Sequence, residues 1–190
     1  MNYIKQQFLE AKNILERFLS DERHFQEIEN AGIIMADAIR NGHKILSCGN
    51  GGSMCDAMHF AEELSGLFRE ERRALPAIAI SDPSHLTCAG NDYGFEAIFS
   101  RFIEALGQPG DVLLVISTSG NSENVIKAAR EAKNKGMKVI GLTGKTGGVL
   151  ADLCDVEIRA PHTEYSDRIQ ELHIKIIHSI ILTVEHELLK

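Results

Sequence analysis

The sequence predicts an α/β protein: a three-layer, doubly wound parallel sheet of five strands preceded by two helices. Three observations carry this. From Lys44 onward, short apolar runs alternate with helical patterns, as repeated βα units require. The turns between them are short and rich in Gly, Ser and Asn. Two amphipathic helical patterns precede the first strand, more than one sheet needs to cover its faces. At 190 residues, 44% hydrophobic and 25% charged, the chain can bury one sizeable core. It reads as one domain over 1–190, with 1–42 a helical pair used in oligomer packing and 43–190 the α/β core.

Ile4, Phe8, Ala11, Leu15 and Phe18 form one apolar stripe on a first helix. A second helix runs from about Glu27 to Arg40, and Asn41-Gly42 closes it as a C-cap. The predicted strands are Ile45 to Cys48, Ala77 to Ile80, Val112 to Ile116, Lys138 to Leu142 and Val156 to Arg159. Between and after them, helices are predicted over Met54 to Phe68, Phe95 to Leu106, Glu123 to Lys135, a short piece near Gly148 to Leu153, and Ser166 to Leu189. Right-handed crossovers put the C-terminal ends of all five strands on one edge. Gly49 to Ser53, Ser81-Asp82, Ser117 to Ser122, Thr143-Gly144 and Pro161-His162 therefore gather there, and that edge is the expected active site.

A formal net charge of −7, with 20 Lys and Arg scattered rather than clustered, argues against nucleic acid or an anionic membrane as the main partner. There is no signal-type apolar run at the start and no stretch fit to span a bilayer, so a cytoplasmic location is expected. Cys48, Cys55, Cys88 and Cys154 form no C-x-x-C pair and read as small buried side chains.

Two stretches carry the chemistry. In Gly49-Asn50-Gly51-Gly52-Ser53 the glycines let the backbone turn tightly against a ligand, and Ser53 reads as the N-cap of the next helix. A helix start of this kind, with open N–H groups and partial positive charge, is an anion site. Ser117-Thr118-Ser119-Gly120-Asn121-Ser122 has the same design after a buried strand, with hydroxyl donors and no cation. Alone it reads equally well as a capped polar turn; the pair of loops points to a ligand. Gly49 to Ser53 does not fit G-x-G-x-x-G, and Val139 occupies the P-loop glycine position ahead of Gly144-Lys145-Thr146, so neither nucleotide motif is supported.

His59 and Glu63 stand at i and i+4 on one helix face, a spacing that serves a plain surface pair as well as a site. His178 sits in a strongly apolar helical pattern with Gln170 two turns before it. It is either a satisfied core histidine or one directed into a pocket. His173 and His186 read as surface residues.

As a joint set, Ser47 to Ser53, Asp56 to Leu64, Gly90-Asn91-Asp92, Ile116 to Ser122, and Arg168 to Glu171 with His178 resemble the sugar isomerase (SIS) domain family, and within it the bacterial phosphoheptose isomerases. The resemblance covers essentially the whole chain. It implies a flavodoxin-like fold, a homotetramer with sites at its interfaces, and conversion of sedoheptulose 7-phosphate to D-glycero-D-manno-heptose 7-phosphate for heptose and lipopolysaccharide synthesis. The loop Asn50, Gly51, Gly52 and Ser53, with Ser117, Thr118, Ser119 and Ser122, matches the sugar-phosphate positions; Asn91, Asp92 and Asp167 match those holding the sugar chain, and Gln170 and Glu63 also touch substrate. His59, Glu63, Gln170 and His178 match a divalent metal site, one zinc per subunit, with Glu63 and His178 the acid/base pair. The family commonly shows Gly-Arg-aromatic after the helix, where this chain has Gly66-Leu67-Phe68-Arg69, so a contact from an arginine at that position is missing.

The residues agree with that chemistry. Moving a proton between adjacent carbons through an enediol needs a carboxylate base, an acid for the oxygens and stabilisation of the enediolate. A carboxylate bound tightly to zinc is a poorer base, so Glu63 serves both roles only with loose or changing coordination. Some relatives are non-catalytic and bind the replication initiator, but such scaffolds have no reason to keep Glu63, Gln170 and His178. Sugar-phosphate sensors of this family usually carry a helix-turn-helix, for which these N-terminal helices offer no basic surface. No residue measures the sugar's chain length.

Overall fold

In the computed structural model, which describes residues 2–189, the five expected strands form a single parallel sheet. They are β1 (Ile45–Gly49), β2 (Ala77–Ala79), β3 (Val112–Ser117), β4 (Lys138–Thr143) and β5 (Val156–Arg159), in the order β2-β1-β3-β4-β5. Every residue of β1 and β3 is buried, as strands covered on both faces must be. Ile45 of β1 pairs in register with Val112 and Gly49 with Ile116, so the loops that follow β1 and β3 leave the sheet side by side.

The helices are α1 (Asn2–Leu19), α2 (Arg23–Arg40), α3 (Gly52–Ser65), α4 (Pro83–Tyr93), α5 (Ile98–Leu106, entered through a 3-10 turn at Phe95–Ala97), α6 (Glu123–Asn134), α7 (Gly148–Ala151) and α8 (Ser166–Leu189). They cover the two faces separately. Phe60 and Leu64 of α3 join Phe18, Met35, Ile176, Ile177 and Ile180 in one core, which places α1, α2, α3 and α8 on one face. Ala89, Phe99, Ile103, Val125 and Leu150 form the other core under α4 to α7.

Three expectations are corrected. Helix α4 is absent from the apolar reading because its 3.6-residue pattern is weak and only Ala89 is buried; local signals hold it, with Pro83 in the first turn and Asp82 Oδ1 accepting from His85 N at 2.8 Å. Helix α3 starts two residues earlier than expected and stops at Ser65, with Gly66 as its C-cap, so Leu67 and Phe68 lie beyond it. Cys55 and Cys88 are exposed, because the helix faces that carry them turn away from the cores, Cys154 after α7 is half-buried against the second core, and only Cys48 is buried.

In α1 only the C-terminal half is covered. Ile14 and Phe18 are buried, whereas Ile4 is 48% and Phe8 74% exposed. The expected stripe exists as a helix face, and its N-terminal end has no cover within the chain.

Candidate active site

The crossovers after β1 and β3 lead to opposite faces, α3 to one and α6 to the other, so the gap between these two strands is the topological switch point where open α/β sheets bind ligands. Both candidate anion loops open into it. They are tied by a reciprocal amide pair: Asn50 Nδ2 donates to Asn124 Oδ1 and Asn124 Nδ2 to Asn50 Oδ1, each at 2.8 Å. Asn124 is buried and was not singled out in the sequence, since an Asn in a first helical turn gives no pairing signal of its own.

Ser53 is not the cap of α3, as the sequence suggested. Gly51 holds that position, and Ser53 lies buried inside the first turn because the chain enters the helix two residues sooner. Ser122 does precede α6, but its hydroxyl makes no cap bond to the helix; it stands 3.1 Å from Ser117 Oγ. Ser119 Oγ accepts from Asn121 N at 3.2 Å, and Thr118 Oγ1 donates to Ser166 Oγ at 3.4 Å, which links the second loop to the start of α8. Gly120 has φ +65° and faces Gly147 O so closely that any Cβ would collide with it, which keeps this turn small.

A second group forms where α3 meets α8. His59 Nε2 is 3.3 Å from Glu63 Oε1 and 3.0 Å from His178 Nε2. The donor atoms of all three residues lie within 4.8 Å of one another. Donors bound to one tetrahedral zinc sit about 3.3 Å apart, so two imidazoles and a carboxylate at these separations fit a divalent ion. Burial, aided by the neighbouring His59, pushes the His178 imidazole below its usual range and favours the neutral ring that ligates a metal. Glu63 is more shielded than His59, its side chain 17% exposed against 36%. The third residue, His178, comes from another helix, which a plain i, i+4 surface pair does not require.

Gln170 lies on α8 two turns before His178, about 12 Å along the axis. Its amide rests on Gly52: a Cβ there would be 2.6 Å from Gln170 Oε1. Gln170 thus reaches the loop after β1. Asp167, one turn earlier, is exposed and held by Arg168 Nη2 at 2.9 Å, which keeps its carboxyl below the usual range. Asn91 and Asp92, bonded to each other through Asn91 Nδ2 at 2.7 Å, sit exposed on α4, in the layer opposite α3 and α8. Within one chain they do not meet Glu63.

A family model described as SIS domain matches residues 6–144. The chain belongs to the SIS domain family. It is 58% identical over 181 residues to a phosphoheptose isomerase of Glaesserella parasuis, covering 95% of this chain and 94% of that one, and 60% identical over 185 residues to one of Sodalis glossinidius, covering 97% and 95%. Among solved structures, the phosphoheptose isomerase of Neisseria gonorrhoeae superposes with a TM-score of 0.91 at 40% identity, over 97% of this chain and 98% of that chain. That of Francisella tularensis gives 0.90 at 37% identity, over 97% of each.

Other residues of this SIS domain add to or correct the sequence expectations. Asp56, between Ser53 and His59 on α3, is half-buried with Oδ2 unpartnered, and burial raises its carboxyl to about 6. His173 is fully buried rather than on the surface: α8 is covered on that side by the sheet, and the ring nitrogen Nε2 stands 2.8 Å from Thr143 O. Its Nδ1 has no partner, and burial holds the ring near pKa 4. Leu67, where the family commonly has Arg, is 59% exposed. The Phe68 ring instead approaches that of His178 at 5.6 Å, and the Arg69 guanidinium lies 5.2 Å over Phe68, so the nearest cation comes from Arg69.

Proposed function

We propose that this SIS protein interconverts sedoheptulose 7-phosphate and D-glycero-D-manno-heptose 7-phosphate through an enediol, the aldose–ketose isomerisation of the phosphoheptose isomerases. The observation that carries the reading is the convergence of Glu63 with His59 and His178 beside two anion loops at the switch point. A solvated surface pair has no need of a third donor from a separate helix.

In this reading Ser53, Ser117, Thr118, Ser119 and Ser122, with the backbone of Asn50, Gly51 and Gly52, hold the phosphate by hydroxyls and helix starts. Asn91, Asp92 and Asp167 hold sugar hydroxyls, and Gln170 orients the substrate between phosphate and reacting carbons. Glu63 abstracts the proton from the carbon next to the carbonyl and returns it to the neighbouring carbon. His178 passes protons between the substrate oxygens. His59, Glu63, Gln170 and His178 hold one zinc ion per subunit. A bound ion there supplies polarisation of the substrate oxygens and stabilises enediolate charge.

The uncovered end of α1 packs against other copies of the chain in a homotetramer, and the α4 residues reach a site at a subunit interface. Among the described residues no helix is long and apolar enough to cross a membrane. The enzyme acts in the cytoplasm on a small sugar phosphate, feeding heptose synthesis for lipopolysaccharide. Assaying C5, C6 and C7 ketose phosphates side by side tests the substrate. Turnover confined to the C7 sugar is the expected result; equal turnover of all three removes the heptose assignment, and none on any removes the isomerase.

A further inference from the structure

The three-residue group depends on how α3 and α8 are held together, and a buried ion pair stands at their far ends. Arg72, in the segment after α3, has its side chain only 6% exposed, and Glu185 of α8 only 8%. Arg72 Nε donates to Glu185 Oε1 at 2.6 Å. The rest of the guanidinium turns to backbone: Nη2 donates to Glu63 O at 2.8 Å and Nη1 to Leu64 O at 2.8 Å. Longer bonds from Nη1 reach Arg73 O at 3.2 Å and Gly66 O at 3.4 Å.

Glu63 O and Leu64 O belong to the last turn of α3, whose C=O groups have no partner within the helix. Glu62 O is taken by Gly66 N, and Leu64 O is shared with Leu75 N. Glu63 O is taken up by Arg72. A cation at a helix C-terminus is favourable, whereas Glu185, near the C-terminal end of α8, gains nothing from that helix's own field. Its burial is explained by Arg72. Glu185 follows His178 by seven residues, two turns on, and so lies on the same side of α8. One fork of donors therefore grips the backbone of Glu63 on one helix and a side chain two turns from His178 on the other. A buried ion pair is a poor source of stability relative to apolar packing, but it fixes geometry.

We infer that Arg72 and Glu185 are positioning residues for the reaction: a buried clamp that registers α3 against α8 and so sets the spacing of His59, Glu63 and His178. The inference rests on the reading of that group as the reacting and metal-binding centre. The clamp acts on the C-terminal end of α3. The anion loop at its N-terminal end is anchored separately, by β1 and the Asn50–Asn124 pair.

The test uses the full chain, with folding checked by circular dichroism and thermal unfolding. Arg72→Met with Glu185→Leu removes both charges together at similar volume, and Glu185→Gln keeps the shape and a neutral acceptor. For each, kcat and KM on a ketose 7-phosphate are measured, and Co2+ is titrated by its visible absorption. The double variant is expected to lose tenfold or more in kcat and in cobalt affinity, with KM within about threefold of the parent. Glu185→Gln is expected to lose at least threefold in kcat. A folded double variant with kcat and cobalt affinity unchanged, or one in which KM alone rises, overturns the clamp. If the double variant does not fold, an unchanged kcat in Glu185→Gln overturns it. The underlying reading fails separately, through the parent chain: no cobalt spectrum there, together with normal turnover by His59→Ala, removes the centre itself.

Discussion

His173 shows at the residue scale what a period-based reading misses. In sequence it is one polar residue in a helix of mixed character, which reads as exposed. In the fold the sheet edge covers it, and its ring meets Thr143 O at the end of β4, the residue in register with Ser117 of the second anion loop. Spacing alone left Glu63 open between a surface pair and a site, and His178 open between core and pocket, and only the family resemblance gave them roles; Asp56 and Arg72 gave no signal, because burial of a charged side chain is decided by tertiary neighbours. His173 also makes a pH prediction. Burial lowers its pKa from 6.5 to about 4. Between these values the unfolded chain binds the proton and the folded chain does not, so stability is full above about pH 6.5 and falls as pH drops toward 4. From pH 7 to 5 this amounts to about 2 kcal/mol. His173→Gln is expected to flatten the pH dependence of unfolding in that window by this amount relative to the parent; parallel curves would show that the ring titrates normally.

At the scale of elements, the strands and helices α5 to α8, with the 3-10 turn before α5 counted in, could be read to within two residues, because β1, β3 and β4 are apolar runs between turn signals; α2 begins four residues before the expected Glu27 and α3 ends three before Phe68. Helix α4 escaped because capping, not periodicity, defines it, and Asn91 and Asp92 were therefore placed without an element. The two candidate anion loops lie side by side, and their proximity follows from strand order: β1 and β3 are neighbours, so the turns at their ends are too. What could not be read was their cross-link through Asn50 and Asn124. Neither loop holds a cation, so in the proposed reading phosphate binding rests on hydroxyls and helix starts. Ser119→Ala together with Ser122→Ala is expected to raise KM with kcat little changed, each lost hydrogen bond to the charged group costing about 1.5–3 kcal/mol. Unaltered affinity for sugar phosphate in the double variant would place the phosphate elsewhere.

For the whole molecule, the uncovered apolar face of α1 is the main feature that one chain does not complete. Tyr3 and Phe8 are each 74% exposed on the same helix, and such faces mark association. Light scattering at micromolar concentration is expected to give the mass of a tetramer; a monomer mass would leave that face, and the placement of the site at an interface, without support. In the proposed reaction Glu63 moves a proton between adjacent carbons of a seven-carbon sugar phosphate. The most direct test is to incubate sedoheptulose 7-phosphate in deuterium oxide with the parent chain and with Glu63→Gln, measuring bound zinc and substrate affinity in both. The parent is expected to give aldose 7-phosphate labelled with deuterium at C2. Glu63→Gln is expected to be slower by about a hundredfold to ten thousandfold with zinc and substrate still bound. Labelling at the parent's rate by Glu63→Gln, or no aldose from the parent, would contradict the proposed reaction.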